Sequence, residues 1–533
     1  MSVPSSVIHI ISGVPLNNSY DHTLFFDYET QNRPTARAQQ TEYFLSKKVK
    51  TFDKFTYLRP GNIIKVAGDV ANARSWNYLM FQNDTGKWYY HFINKVTYLS
   101  DSSVELHIEL DVIQTYMFDW SLEQCLVERM HTATDRIGEH TLEEGLECGE
   151  HVDTVTLEYL FEDLCVLWLS ACDTSGNSNF GNTYDGVYSG LIMYASDDPE
   201  AISNYLDFMD QQGKTEAIVS MWMYPKSLVN IGGAWKENAI HRVVGYSDSD
   251  EALGFTESSD LDGYAPKNNK LFTYPYCFVY ASNNMGGSAI YKNERFDHSE
   301  SNNHKFKIRG ALSPDSGVML IPLEYNGSAI AYEHALSMGA FPTCAWNSDT
   351  YKIWLAQTQN TRSLHETQSV IKAWTAVGTA AAGLATGSLP LAGGALATSM
   401  SALNGYMEQV AQKADMEVQP PQAKGNHSGN INIAMGHCGF SIHHKTVKAD
   451  RARVIDNFFT RYGYKVNRIM YPMIKTRERF TYIKTVGCFV TGNLGTEDQL
   501  KIQAIFDKGI TFWHDFDSVG LFTRDNPCLT SEV

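Results

Sequence analysis

From Ala373 through Met407 the chain carries no Asp, Glu, Lys, Arg or His, and Ala, Gly, Leu, Ser and Thr dominate. A charge-free stretch of this length can be accommodated in few ways: inside a protein core, in lipid, or as a Gly/Ala-rich loop. Lys372 and Glu408 bracket it, and Pro420-Pro421 follow as a stop. The length suits a bilayer, which takes about 20 apolar residues as a helix. The strength does not. Val377, Leu384, Leu389, Leu391, Leu396, Met400 and Leu403 supply most of the driving force, and at roughly −0.3 to −0.6 kcal/mol per aliphatic residue they total only a few kcal/mol. The glycines and threonines offset part of that, so a single copy inserts weakly. Pro390 sits mid-segment, with Gly387 before it and Gly393-Gly394 after it. It divides the segment into two arms of about 17 residues, each roughly 25 Å long if helical. The expected shape is a hairpin with a polar-flanked base and an apolar tip, and its small residues let several copies pack together in lipid. A buried αα-hairpin of a soluble core has the same composition. A constitutive transmembrane anchor fits least, because the flanks lack a Lys/Arg bias. A concealed segment, released on demand, stands beside the buried hairpin and the Gly/Ala loop as an open reading.

The rest of the chain reads as a folded, mainly β protein. At 533 residues it is too long for one core, and length alone suggests about three or four domains. Val104 to Val112 alternates aliphatic and polar residues, the pattern of a half-buried strand. Val7 to Ile11, Trp88 to Ile93 and Leu164 to Leu169 are further strand candidates, and Asn83-Asp84-Thr85-Gly86 marks a hairpin between Tyr78 to Gln82 and Lys87 to Ile93. Pro199 to Gln211 carries Ile202, Tyr205, Leu206 and Met209 at helical spacing, with Asp197-Asp198 as its start. Ser247 to Asp262 and Ser282 to Asn303 are Gly/Asn/Ser-rich and read as exposed loops. Strands resume at Tyr274 to Tyr280, Lys305 to Gly310 and Val318 to Leu323; strand-like Ile431 to His444 precedes a basic helical stretch, Lys445 to Arg461.

The formal net charge of −17 argues against wholesale nucleic-acid binding, which needs a basic footprint. Acidity serves solubility, or a conduit that DNA must pass without sticking. Within this acidic chain, the stretch from His444 to Lys484 is basic, suited to the acidic surface of a neighbouring subunit, to DNA, or to ordinary solvation. The nine cysteines are scattered and form no C-x-x-C pair, as expected of free thiols folded in a reducing cytoplasm. No basic n-region precedes the short apolar stretch at the N-terminus, so no secretory signal is expected.

Catalytic signatures fail on inspection, and the chain reads as a non-enzymatic protein with no cofactor. His365-Glu366-Thr367-Gln368-Ser369 has Ser where H-E-x-x-H needs its second His. His437-Cys438 with His443-His444 is the best metal candidate, yet strand alternation lets no more than two of these converge. Glu143-Glu144 and Asp197-Asp198 are paired acids, but adjacency is not the flanking geometry that glycoside hydrolysis needs.

Several stretches, in their order along the chain, carry a family resemblance. They include Gly13-Val14-Pro15-Leu16-Asn17-Asn18, Tyr78 to Asn83 with Lys87-Trp88, and Ile108 to Thr115. Glu144-Gly145-Leu146, Tyr274-Pro275-Tyr276-Cys277 and Ile308-Arg309-Gly310 follow. Phe458-Phe459, Tyr462 to Arg468 and Ile505 to His514 complete the set. The sequence resembles the tail knob (distal tail tube) proteins of small short-tailed phages of the Picovirinae type, which infect Gram-positive bacteria. It departs from the family pattern between about Asp153 and Lys270.

The resemblance implies a multi-domain α+β chain, mainly β, whose barrel-like antiparallel domains assemble into a homohexameric tube for DNA ejection. It implies a virion protein at the tail tip, made in the host cytoplasm and joined to other tail proteins of the lower collar and tail tube. DNA would pass through the lumen without specific binding. Hydrophobic loops would close the tube, then leave it to meet lipids of the host cytoplasmic membrane and form a pore. The membrane-active loop is then Ala373, Trp374, Val377, Leu384, Leu389, Pro390, Leu391, Leu396, Met400, Leu403 and Met407. The expected division is an N-terminal β tube domain (1–127), an inserted variable region (128–300), a β region leading to the loop (301–367), the loop (368–420) and a C-terminal β region (421–533). A tail-tip cell-wall hydrolase and a receptor-binding adhesin are the alternative functions.

Overall fold

A computed structural model describes residues 6–345 and 438–529, apart from 29, 54–61, 84, 172–190, 212–213, 215–216, 248–252, 300–303, 314–316, 340 and 342. The chain forms two compact units. The first comprises Met1–Gly149, Gly263–Thr273 and Lys448–Val533; the second comprises Glu150–Asp262 and Tyr274–Val447.

The first unit holds a six-stranded antiparallel sheet in the order Lys48–Asp53, Val7–Ser12, Trp76–Gln82, Trp88–Ser100, Ser103–Leu110, Ile63–Ala67. The alternation of Val104, Leu106 and Ile108 puts all three side chains into one core. The strand ends two residues earlier than that alternation suggests. Asp111 accepts a hydrogen bond from the Gln114 N–H at 3.1 Å and starts the helix Val112–Tyr116, because a local cap outcompetes continued pairing. The Tyr78 hydroxyl donates to the same carboxylate at 2.8 Å. Asn83 and Gly86 close the expected hairpin, with Gly86 at φ 82 and Gln82 opposite Trp88.

The second sheet of this unit runs His22–Leu24, Ile510–Trp513, Phe480–Val486, Cys125–Met130, Tyr464–Met470, antiparallel except for the first pair. Its aromatic core includes Phe25, Phe44, Phe480, Phe506, Phe512 and Trp513. Ala449–Tyr462 is helical and ends at Gly463, so Lys445 to Val447, expected as helix, instead finish the preceding strand. Gly463 sits at φ 63, ψ −152, and a Cβ there would collide with the Met130 carbonyl. Only glycine tolerates that backbone and that approach. Gly463→Ala is therefore expected to cost at least about 2 kcal/mol, read as a fall in the urea unfolding midpoint.

The second unit has three principal sheets. One runs His151–Leu160, Gly439–Val447, Cys277–Ser282, Ser288–Lys292. The next runs His241–Arg242, Ile192–Ser196, Leu164–Ser170, Ile218–Pro225, Thr343–Ala345. The third is Leu253–Phe255, His304–Gly310, Val318–Tyr325, Ser328–Ile330, with Leu336–Met338 also paired to Val318–Tyr325. Pro199–Gln211 is helical as its spacing predicts, and Ile202, Tyr205, Leu206 and Met209 pack with Trp168 and Tyr194. Asp198 caps it, accepting from the Glu200 N–H at 2.8 Å. The two stretches expected as loops contain strands. The Asn/Gly run 283–287 is only a turn: the Asn283 carboxamide accepts from the Met285 and Gly287 N–H groups, and Ser288–Lys292 returns from it. The fold is mainly β with some helix, as the sequence implies, and is divided into two compact units.

Candidate functional site

The expected membrane-active residues, Ala373 to Met407, lie outside the described residues, as do His365-Glu366 and His437. The structure does fix the chain on either side of residues 346–437. Before them, Thr343–Ala345 forms the edge of a sheet, paired to Ser220, Met221 and Trp222. After them, Gly439–Val447 lies between two strands, pairing with His151–Leu160 on one side and Cys277–Ser282 on the other. Both approaches enter one core through three aromatic rings. Phe341 lies 6.2 Å from Phe161, and Phe161 lies 6.4 Å from Phe440, both near edge-on. All three are buried, and the Phe161 N–H donates to the Cys438 carbonyl at 2.7 Å. Phe161 thus pins the outgoing and returning chain together. Edge-to-face pairs add about 0.5–1.5 kcal/mol each beyond the area they bury.

The paired acids weighed for hydrolysis have other work. Glu144 is fully buried between Arg129 and Lys270, and its carboxylate also accepts the Lys465 N–H at 2.9 Å. Lys270 donates further to the Leu142 carbonyl at 2.9 Å. Burial pulls the Lys270 ammonium below its ordinary pKa, against the opposing pull of Glu144. Asp197 binds Lys226 at 2.5 Å, and Asp198 is the helix cap. A groove of about 940 Å³ beside the helix Arg33–Ser46 has Glu42 as the one carboxylate among its described lining residues, against Arg33, Arg37 and Lys87. That is not the opposed pair glycoside hydrolysis uses.

Much of the basic block is neutralised within the chain. Lys445 meets Asp153 at 2.5 Å, Arg451 meets Glu147 at 3.0 Å, Lys475 meets Asp27 at 2.6 Å, Arg479 meets Asp515 at 2.5 Å and Lys484 meets Glu128 at 2.8 Å. Arg453 and Arg461 lie over the rings of Tyr264 and Phe522. The block is mainly an internal scaffold. Two histidines of the metal candidate part company: His443 pairs with Asp153, while His444 turns into the core beside Cys277 and Glu257, residues its local sequence could not indicate.

Among the described residues, no helix is long and apolar enough to cross a membrane.

The described chain is mainly antiparallel β in two units, and the residues on either side of 346–437 enter one core. Comparison with known proteins gives its class: the chain is a bacteriophage tail protein. Residues 245–527 match the model for the C-terminal domain of the Bacillus phage phi29 tail knob protein gp9, and residues 4–121 match the model for the caudoviral major tail protein N-terminus. The chain belongs to the phi29 gp9 tail knob family. It is 26% identical to the tail knob protein gp9 of Bacillus phage phi29, over 97% of this chain and 98% of that protein. The gp9 of Bacillus phage B103 is 25% identical with the same coverage. The solved tail knob protein gp12 of bacteriophage C1 shares the fold, with a TM-score of 0.62 at 15% identity, covering 98% of this chain and 100% of that one.

Proposed function

We propose that this tail knob protein is a non-enzymatic subunit of a homohexameric tube at the tail tip, through which the genome leaves the virion. Its apolar segment closes that tube and then enters the host cytoplasmic membrane. The observation that carries the reading is the charge-free stretch Ala373 to Met407, inserted between two strands that one aromatic pin holds in a single core. Such a base lets the insertion change its surroundings without disturbing the sheets that carry it. Six copies supply the apolar surface that one lacks, since insertion free energy scales with the number of segments. The chain's net negative charge disfavours DNA adhesion along a lumen.

Purified protein is expected to release dye from liposomes, more strongly at acidic pH. A variant lacking residues 373–407 should assemble normally and lose that release. Undiminished leakage from a correctly assembled deletion variant would refute the membrane role. A mass measurement giving a stable assembly other than six subunits would refute the hexamer.

A further inference from the structure

The second unit buries a cluster of metal-binding character that neither the fold nor the loop requires. Cys277 opens the strand Cys277–Ser282, His444 lies on the neighbouring strand Gly439–Val447, and Glu257 follows the short strand Leu253–Phe255. Their donor atoms all lie within 4.8 Å of one another. The Cys277 Sγ is 3.1 Å from the His444 Nε2. Nitrogen and sulfur ligands of a tetrahedral zinc are about 3.5 Å apart, given metal–ligand bonds of about 2.0–2.3 Å, so a small outward adjustment would admit the ion.

The surroundings orient these donors. His151–Leu160 carries a bulge opposite His444, where the register skips between Asp153 and Val155. The skipped residue is Thr154. Its hydroxyl donates to the His444 carbonyl at 3.2 Å and lies 2.7 Å from His444 Nδ1. With its one proton committed, it accepts from Nδ1–H, and the lone pair of His444 is left on Nε2, facing sulfur. Bulges commonly re-aim side chains at functional sites. Glu257 is held in turn by His298 Nδ1 at 2.9 Å and by the Asn293 carboxamide. The Phe255 ring stands 5.3 Å from that of His444 and stacks on His304, whose ring is 5.7 Å from His444.

We propose that Glu257, Cys277 and His444 bind one zinc ion, with Thr154 as the residue that positions His444. A thiolate, an imidazole and a carboxylate form a mixed donor set suited to zinc. One thiolate and one carboxylate balance the charge of a divalent ion, which suits a buried site. Binding forms Zn–S, Zn–N and Zn–O bonds and releases the thiol proton of Cys277 to solvent. The site would tie Gly439–Val447, the strand that follows the apolar insertion, to Cys277–Ser282 and to the segment after Leu253–Phe255 that carries Glu257, stabilising the unit that anchors the insertion.

The test is metal analysis of the full-length protein purified from zinc-supplemented cells, paired with cobalt substitution. The expected result is one zinc per chain, a thiolate-to-cobalt charge-transfer band, and loss of both in Cys277→Ala. Cys438→Ala, which removes another buried thiol of this unit, should keep the metal. If Cys277→Ala does not fold, Thr154→Val carries the test: it leaves all three donors and should weaken zinc binding by about 10–100-fold. Wild-type protein with no bound zinc and no cobalt band would overturn the site and leave the trio as an S–H···N hydrogen bond in a core. Zinc retained at full stoichiometry by folded Cys277→Ala would also overturn it.

Discussion

Glu144→Ala is expected to lower the stability of the first unit by about 3–5 kcal/mol, the usual cost of removing one partner of a buried ion pair. The cause is the two cations left behind. Lys270 is 2% exposed and Arg129 is 12% exposed at the side chain, so neither can recover its hydration. Lys270 belongs to Gly263–Thr273, the short stretch that returns to this unit between two parts of the other. Glu144 is thus the charge that holds this stretch in place, assisted by Asp456, which accepts from Tyr264 Oη at 2.7 Å and Lys267 N at 2.9 Å. The measurement is the urea midpoint. Glu144→Gln should fall less, because it keeps an acceptor for the Lys465 N–H. A double variant, Glu144→Gln with Lys270→Met, should recover part of the loss, since it removes one of the two stranded cations while Arg129 remains. A wild-type midpoint for Glu144→Ala would show that the pair contributes nothing.

Acid should weaken the same unit well above the pH at which carboxylates titrate. His131 is fully buried, with its pKa pushed down to about 3 by burial, then by Arg477. The geometry gives the reason: Tyr482 N–H donates to its Nδ1 at 2.8 Å and its Nε2 faces the Thr460 carbonyl at 3.1 Å. A proton on Nδ1 would oppose a donor. His514 is likewise lowered to about 3, by burial first and then by Lys475. In the unfolded chain both titrate near 6.5. Their contribution is therefore intact above about pH 6.5 and is lost as pH falls towards 3, because the unfolded state takes up protons that the folded state refuses. Asp111 works in the opposite sense: burial raises it to about 6, so the fold gains relative stability as pH drops through 6. At pH 5 the two imidazoles cost about 2 kcal/mol each and Asp111 returns about 1 kcal/mol. The expected net loss between pH 7.5 and pH 5 is about 2–3 kcal/mol. Urea midpoints at the two pH values measure it. His131→Gln, whose amide can replace both hydrogen bonds, should remove about half of the imidazole cost. Equal midpoints at both pH values for the wild-type chain would contradict the assignment.

Local features were legible in the sequence and long-range ones were not. The alternation of Val104, Leu106 and Ile108, the Asn83 to Gly86 hairpin and the helix Pro199–Gln211 each depend on neighbours within a few residues, so periodicity and turn chemistry suffice. Asp111 was hidden by that same periodicity, since an acidic residue at an outward position is also a cap. Ser282 to Asn303 reads as a loop because the turn at 283–287 dominates its composition and the apolar run Ala289-Ile290-Tyr291 is too short to stand out. Glu144 with Lys270, 126 positions apart, leaves no local signal. Neither does Phe161 between Phe341 and Phe440, nor Cys277 beside His444, 167 positions apart. The order of family-like stretches indicated the tail knob fold because it samples the chain end to end, including Gly463 and the Ile510–Trp513 strand.

The interleaving of the first unit also sets a timetable for making it. Strand Cys125–Met130 lies between Phe480–Val486 and Tyr464–Met470, and among the described residues His22–Leu24 pairs with Ile510–Trp513 alone. Arg129 emerges 334 residues before Gly463, whose carbonyl it binds. At about 5–20 residues per second a ribosome takes tens of seconds to cover that interval. Throughout it, the strand has no partner from its own chain on either side. Glu150 to Val447 can complete the second unit in the meantime. A chain cut short anywhere before its last strands therefore cannot close the first unit, and incomplete subunits are marked by an open sheet before they can enter a particle.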